Sequence, residues 1–144
     1  MKACVIQPPY SMDLSLSDEY FARKLEYLRQ CDDSMDIIVL PEYSDVPCAA
    51  VTREDNLMYH KKYAPVLLDA CAETARRCNA VVFVNALYET ETGYRNTTYA
   101  LDRNGEVVGH YYKKHLLLVV PSVALQEQYF ISPFSSYPIK KTEP

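Results

Sequence analysis

Three short apolar runs predict the first strands of this chain. They lie at residues 2–7, 37–40 and 81–87, and prolines follow the first two directly. Such runs suit interior strands of a parallel sheet, which are buried on both faces. Longer stretches with apolar residues at helical spacing separate one strand from the next. Strands that alternate with helices predict an α/β fold with a largely parallel sheet and helices on at least one face.

The two predicted helices carry recognisable end signals. Ser17 is a candidate N-cap, with acidic residues in the first turn of a helix that runs to about residue 31. The second helix begins after Thr52, which opens a capping box, and runs to about Cys78, with Asn79 as its C-cap residue. Pro65 leaves open whether this second helix is kinked or restarts there.

A β-hairpin and an irregular tail complete the predicted order of elements. Residues 94–101 and 106–112 are predicted as two strands around a turn that contains an Asn-Gly pair, which is a strong hairpin signal. After the second of these strands, prolines and serines replace the periodic pattern. We therefore expect one folded region at residues 1–116 and an irregular tail at residues 117–144.

Composition and charge narrow the classes of partner. A chain of 144 residues with 49% hydrophobic and 24% charged residues suits one soluble globular domain. Its net charge of -4 argues against a nucleic-acid-binding surface. The apolar run at residues 116–120 is far shorter than a membrane span, and the N-terminus does not resemble a signal peptide.

Cysteine and glycine usage bear on the compartment and on cofactors. The five cysteines include no CxxC pair, so we expect reduced thiols and a cytoplasmic location. No His, Cys or Asp spacing predicts a metal site. Only three glycines occur, and none belongs to a phosphate-binding or dinucleotide-binding loop. The sequence therefore predicts neither a metal nor an organic cofactor.

Glu42 and Lys113, each at a predicted strand end, are the candidates for chemistry. Glu42 follows Pro41, and the carboxyl ends of parallel strands form the natural crevice of an α/β sheet. Partial desolvation there would raise the pKa of the Glu42 carboxyl and suit it to act as a general base. Lys113 and Lys114 point to opposite faces of a strand, so one of them can face inward and stabilise an oxyanion. Taken alone, each residue is more commonly a solvated surface charge than a catalytic group.

Five segments, taken in order, resemble the nitrilase (carbon–nitrogen hydrolase) superfamily. Leu40-Pro41-Glu42-Tyr43-Ser44 is similar to its glutamate motif. Tyr112-Lys113-Lys114-His115-Leu116 is similar to its lysine motif, in which the lysine two before the histidine is catalytic. Residues 3–7 are similar to its first strand, residues 72–75 and 81–85 to its second helix and the following strand, and residues 95–106 to its hairpin. The resemblance covers about residues 2–116 and implies one α-β layer of the family's α-β-β-α sandwich, from a truncated chain.

The resemblance implies hydrolysis of a small nonpeptide amide, nitrile or carbamoyl compound, with no metal or organic cofactor. In that family a cysteine thiolate attacks the substrate carbon and forms a thioester that water releases. Glu42 would act as general base and acid, and Lys113 would stabilise the tetrahedral intermediate. No cysteine follows Lys113 in the sequence, so we expect the chain to be inactive alone. The family's second glutamate would fall after the lysine motif, where Glu127 is a weak candidate.

One α-β layer leaves the second face of its sheet without a cover. The strands at residues 2–7, 37–40 and 81–87 would expose an apolar patch larger than soluble monomers usually tolerate. We expect a homo-oligomer, with a separate C-terminal half or the chain's own tail as the other candidates for the cover. The alternative function is a noncatalytic α/β binding or interaction module that keeps half of the fold. A stop codon directly after Pro144 would favour that alternative.

Overall fold

A computed structural model describes residues 1–91 and 93–114 of the chain. The elements in chain order are β1 (Ala3–Val5), a 3₁₀ turn (Leu14–Leu16), α1 (Ser17–Gln30), β2 (Ile37–Val39), α2 (Arg53–Cys78), β3 (Val81–Thr90), β4 (Gly93–Leu101) and β5 (Val107–Tyr112). The expected tail at residues 117–144, which contains Glu127, lies outside the described residues, as does His115.

The five strands form one mixed sheet in the order β1-β2-β3-β4-β5. β1, β2 and β3 run parallel, whereas β4 is antiparallel to both β3 and β5. This confirms the α/β class. The expectation of a largely parallel sheet is wrong for the second half, because too few residues separate β3 from β4 for a crossover connection.

Both helices pack on one face of the sheet and enclose the main core. Side chains from the sheet and from α2 meet there with no exposed surface, among them Ile38, Leu67, Cys71, Val82 and Val84. The alternate residues of β3, such as Val81 and Phe83, are only half-buried on the opposite face. Alternation along the strands therefore places one apolar set under the helices and leaves a second set facing away from them.

The end signals of α2 are confirmed. The Thr52 hydroxyl accepts a hydrogen bond from the Asp55 N–H at 3.0 Å, and Asn79 adopts a left-handed conformation with φ 51°. Pro65 lies inside one continuous helix, so the chain neither ends nor restarts the helix there. No helix of the described residues has the length and apolar character that a membrane span requires.

The predicted N-cap of α1 is wrong by one residue. Leu16 occupies the cap position, and Ser17 is the first helical residue. A 3₁₀ turn precedes the helix, and the Ser17 hydroxyl donates to the Leu14 carbonyl of that turn at 2.7 Å. The hydroxyl therefore does not accept from the first helical N–H groups, as an N-cap side chain would. β3 extends to Thr90, three residues beyond the prediction, because it pairs with β4 along its whole length.

Candidate functional site

The loop that follows β2 carries Glu42 and is tied closely to β3. Tyr43 has a φ of 53°, a left-handed conformation that a bulky residue seldom adopts. Two hydrogen bonds hold it there. The Tyr43 N–H donates to Asn85 Oδ1 at 2.7 Å, and the Ser44 N–H donates to the Asn85 carbonyl at 2.9 Å. Asn85 therefore sets the path of the backbone directly after Glu42.

Glu42 and Lys113 lie in direct contact. Lys113 Nζ donates to Glu42 Oε1 at 2.9 Å, and the lysine and glutamate side chains are 32% and 51% exposed. The Lys113 N–H also donates to the Asn96 carbonyl at 2.9 Å, which fixes the lysine beside β4. Lys114 is exposed. The sequence prediction that Lys113 rather than Lys114 approaches Glu42 is therefore confirmed.

A third residue, Asn96, binds the same carboxylate oxygen. Asn96 Nδ2 donates to Glu42 Oε1 at 2.6 Å, and Asn96 is 4% exposed. Burial by itself would raise the Glu42 pKa, but the hydrogen bonds from Lys113 and Asn96 outweigh it, so the pKa is lowered. The sequence-based expectation of a raised pKa is thus wrong. Glu42 is instead an ionised carboxylate at neutral pH, and it can accept a proton.

Asn85 and Asn96 form an amide pair that the sequence analysis did not single out. Asn85 Nδ2 donates to Asn96 Oδ1 at 2.6 Å and to Thr98 Oγ1 at 3.2 Å. Asn85 interrupts an apolar run of the strand, and a partly buried amide needs partners. That interruption was the available signal, although the identity of the partners depends on the pairing of β3 with β4.

Behind the Glu42 loop lies a second ionisable cluster. Asp45 is fully buried, and its Oδ2 accepts from His60 Nδ1 at 2.6 Å and from the Leu87 N–H at 3.1 Å. Lys24 Nζ donates to the Ser44 carbonyl. Burial lowers the pKa of Lys24 to about 8, and nearby Asp45 opposes part of that shift. This cluster anchors the far side of the loop.

A cavity of about 920 Å³ opens beside the loop, and its lining includes Glu42, Tyr43, Lys24 and Cys48. Cys48 is exposed. The other four cysteines, Cys4, Cys31, Cys71 and Cys78, belong to or pack against the main core. Burial raises the pKa of both Cys31 and Cys71 to about 12, which disfavours the thiolate. Within the described ranges, no group of His, Cys, Asp and Glu side chains is arranged to hold a metal ion.

Comparison with known proteins gives one family and a consistent set of folds. A family model described as carbon-nitrogen hydrolase matches residues 2–141. A carbon-nitrogen hydrolase from Helicobacter pylori G27 has a similar structure, with a TM-score of 0.65 at 18% sequence identity, and the match covers 92% of this chain and 45% of that one. No curated protein gave a significant sequence match.

Two further solved structures share the fold. An amidase from Nesterenkonia sp. matches with a TM-score of 0.58 at 17% identity, covering 94% of this chain and 49% of that one. The C. elegans NitFhit protein matches with a TM-score of 0.58 at 18% identity, covering 83% of this chain and 29% of that one. The chain thus spans less than half the length of each of these three solved structures.

Proposed function

Since this chain belongs to the carbon-nitrogen hydrolase family, we propose that it supplies the glutamate and lysine of a hydrolytic site for a small nonpeptide amide, nitrile or carbamoyl compound. The observation that carries the proposal is the Lys113–Glu42 contact at 2.9 Å, with Glu42 also lining a cavity. An ionised carboxylate beside a fixed ammonium is the pair of groups that acyl transfer to a thiol needs.

The roles of the two residues follow from their charges. Glu42 accepts the proton of a cysteine thiol, and the sulfur electron pair forms a bond to the substrate carbon. Lys113 stabilises the negative charge that develops on the substrate oxygen or nitrogen. Glu42 then passes the proton to the leaving amine and activates the water that hydrolyses the thioester. Burial raises the pKa of Cys31, Cys71 and Cys78 and disfavours their thiolates. Cys48 is exposed, and among the described residues it makes no hydrogen bond to Glu42, so we infer that the thiol comes from outside the 144 residues.

The first experiment assays the purified chain against small amides, nitriles and carbamoyl compounds. The panel includes acrylamide, because a variant of the Nesterenkonia amidase was crystallised with it. We expect no turnover, since loss of a nucleophile removes on the order of 10⁶ in kcat from hydrolases of this kind. Cys48→Ser serves as the control for adventitious thiol chemistry. Robust turnover that survives Glu42→Gln contradicts both the inactivity and the site.

The second experiment reads the coding sequence beyond Pro144 and expresses any continuous product. We expect that product to contain a later cysteine and to hydrolyse a member of the panel. Lys113→Met should then lower kcat/KM by about 10² to 10³, whereas the matched variant Lys114→Met should leave it nearly unchanged. Equal effects of the two substitutions would contradict the assignment of Lys113.

The alternative function is a noncatalytic binding or interaction module. The sheet face that no described helix covers supports it, because Val5 in β1 is 70% exposed there and such apolar surface is typical of contact sites. A stop codon directly after Pro144, together with inactivity in the presence of any separately encoded C-terminal half, favours the module.

A further inference from the structure

The two carboxylate oxygens of Glu42 have different surroundings. Oε1 accepts hydrogen bonds from Asn96 Nδ2 at 2.6 Å and from Lys113 Nζ at 2.9 Å. Among residues 1–91 and 93–114, no donor is hydrogen-bonded to Oε2. We propose that Oε1 is held as a permanent acceptor and that Oε2 is the atom that takes up and releases the proton, with Asn85 and Asn96 as positioning residues. This inference rests on the proposed role of Glu42 as the base.

The direction of the amide pair follows from one backbone group. The Tyr43 N–H can only donate, so the atom that faces it at 2.7 Å has to be the oxygen of Asn85. The NH₂ group of Asn85 therefore points to Asn96, whose oxygen accepts at 2.6 Å. The NH₂ group of Asn96 is then left to face Glu42. A backbone donor thus dictates, through two side-chain amides, that Glu42 meets a donor rather than an acceptor.

The contacts with Tyr43 and Asn96 oppose reversal of this direction. Thr98 lies directly opposite Asn85 in the β3–β4 register. Its hydroxyl accepts from Asn85 Nδ2 at 3.2 Å but can also donate, so this contact does not set the direction. Rotation of the Asn85 amide would place its NH₂ group against the Tyr43 N–H and its oxygen against the Asn96 oxygen. Two hydrogen bonds in a partly buried site would be lost together. The two side-chain amides therefore have one fixed orientation, and their donor and acceptor groups cannot exchange places.

A proton on Oε1 would compete with the two donors already there. Protonation at Oε2 leaves both donors in place, so the carboxyl group can cycle between charged and neutral states without moving Asn96 or Lys113. In the proposed reaction the S–H bond of the nucleophilic thiol breaks, its proton goes to Oε2, and its electron pair forms the S–C bond. As the S–C bond forms, the π electrons of the substrate C=O bond move to its oxygen; when they return, the C–N bond breaks and the proton on Oε2 passes to the departing amine nitrogen. Lys113 keeps all its protons throughout.

The first measurement uses the unaltered chain and needs no enzyme activity. The Glu42 side-chain carboxyl carbon and the Asn96 side-chain NH₂ group are followed by NMR from pH 7 to pH 3. We expect one Asn96 Nδ2–H proton to lie downfield of the other and to titrate with the same midpoint as Glu42. If the Asn96 amide signals do not respond to the Glu42 titration, then Asn96 does not donate to that carboxylate and the inference is wrong.

The second measurement compares Asn85→Asp with Thr98→Asp. The new carboxylate at position 85 can still accept from the Tyr43 N–H but cannot donate to Asn96, so the Asn96 amide loses the partner that sets its direction. Thr98→Asp adds the same charge beside Asn85 and leaves the Asn85 donors intact. We expect the apparent pKa of Glu42 to rise in both variants, and to rise more in Asn85→Asp.

Equal pKa shifts in the two variants would mean that charge alone acts on Glu42, and the positioning role would be lost. Amide spectra in ¹H and ¹⁵N establish that each variant is folded. Where Asn85→Asp does not fold, the titration of the unaltered chain decides the question. Both measurements can give the expected result while a longer product that contains the later cysteine shows no hydrolysis. That outcome would contradict the proposed function, but it would still support the orientation of Glu42 by Asn85 and Asn96.

Discussion

Glu42 and Asp45 lie in the same loop, yet their surroundings give the two carboxylates different properties. The Glu42 side chain is half exposed and pairs with Lys113, so it can exchange a proton with a ligand. Asp45 is fully buried and is hydrogen-bonded to His60 and to the Leu87 N–H, so these bonds hold the loop in place. Burial and partners, rather than residue type, separate an accessible carboxylate from a structural one.

Lys113→Met should raise the apparent pKa of Glu42, because it removes both a hydrogen bond and a positive charge that lower it. A carboxyl whose folded pKa is lowered contributes stability above its unfolded pKa, and that contribution is lost as the pH falls through the folded value. For this partly exposed pair the loss should be below about 1 kcal/mol at neutral pH. Carboxyl ¹³C NMR and urea unfolding measure the two effects. Lys114→Met is the control, and a Glu42 pKa that shifts equally in it would contradict the pairing.

The buried thiol of Cys71 predicts a loss of stability at alkaline pH. Its folded pKa is raised to about 12 by burial, whereas an unfolded thiol titrates near pH ~8.5. The stabilisation is complete below the unfolded pKa and decreases above it, by about 2 kcal/mol at pH 10. Urea unfolding in reducing buffer at pH 7.5 and pH 10 should show a smaller decrease for Cys71→Ala than for the unaltered chain. The same change at exposed Cys48 should keep the original decrease, and a smaller one there would contradict the assignment.

The β4–β5 hairpin is an element whose turn docks on the end of α2. Gly105 has a φ of +76°, and a Cβ there would lie 2.6 Å from the Ala72 carbonyl oxygen and 2.5 Å from Arg76 Nη1. Arg103 Nε donates to the Asn79 carbonyl at 2.9 Å, and Arg76 Nη1 donates to the Asn104 carbonyl at 3.3 Å. Only glycine satisfies both the left-handed backbone and the close approach at this position.

Gly105→Ala should therefore destabilise the chain by about 2 kcal/mol or more, since backbone strain and a clash with a helix carbonyl add together. Gly109→Ala is the matched control, because a Cβ at Gly109 would meet nothing within 4 Å. That variant should stay within about 0.5 kcal/mol of the unaltered chain. Urea unfolding at pH 7 measures both, and similar values for the two would show that the turn does not dock on α2.

For the molecule as a whole, the sheet has one covered face and one open face among the described residues. Helices bury Ile38, Val82 and Val84 completely, whereas Val39 and Phe83 are half-buried on the other side. Apolar surface is favourable to bury by about 25 cal/mol per Å². A second copy presents an identical face, and a two-fold axis would let each sheet cover the other.

We expect the 144-residue chain to self-associate at micromolar concentration in analytical ultracentrifugation. Val39→Lys should weaken the association by about tenfold or more, because it places an unpaired charge in the contact. Val66→Lys on the outer surface of α2, where Val66 is 48% exposed, should leave the association unchanged. A compact monomer that unfolds cooperatively and binds no apolar dye would show that the face is already covered within the chain.

The sequence by itself determined the features that depend on neighbours along the chain. Thr52 caps α2 through Asp55, and Asn79 ends that helix in a left-handed conformation, because both effects act within one helical turn. The position of Glu42 just after a strand, and the choice of Lys113 over Lys114, also followed from local pattern together with family resemblance. The structure confirms the positions of these residues, and their catalytic roles belong to the proposed function.

Only the tertiary structure decided which residues position Glu42 and in which direction its pKa shifts. The expected rise in the Glu42 pKa was wrong because its sign depends on burial weighed against donors from Asn96 and Lys113, which lie 54 and 71 positions away in the sequence. Asn85 could not be recognised from local pattern, because its partners come from the Glu42 loop and from β4. Hydrogen-bond direction and pKa depend on distances of a few ångströms between remote segments, and those distances exist only once the sheet has formed.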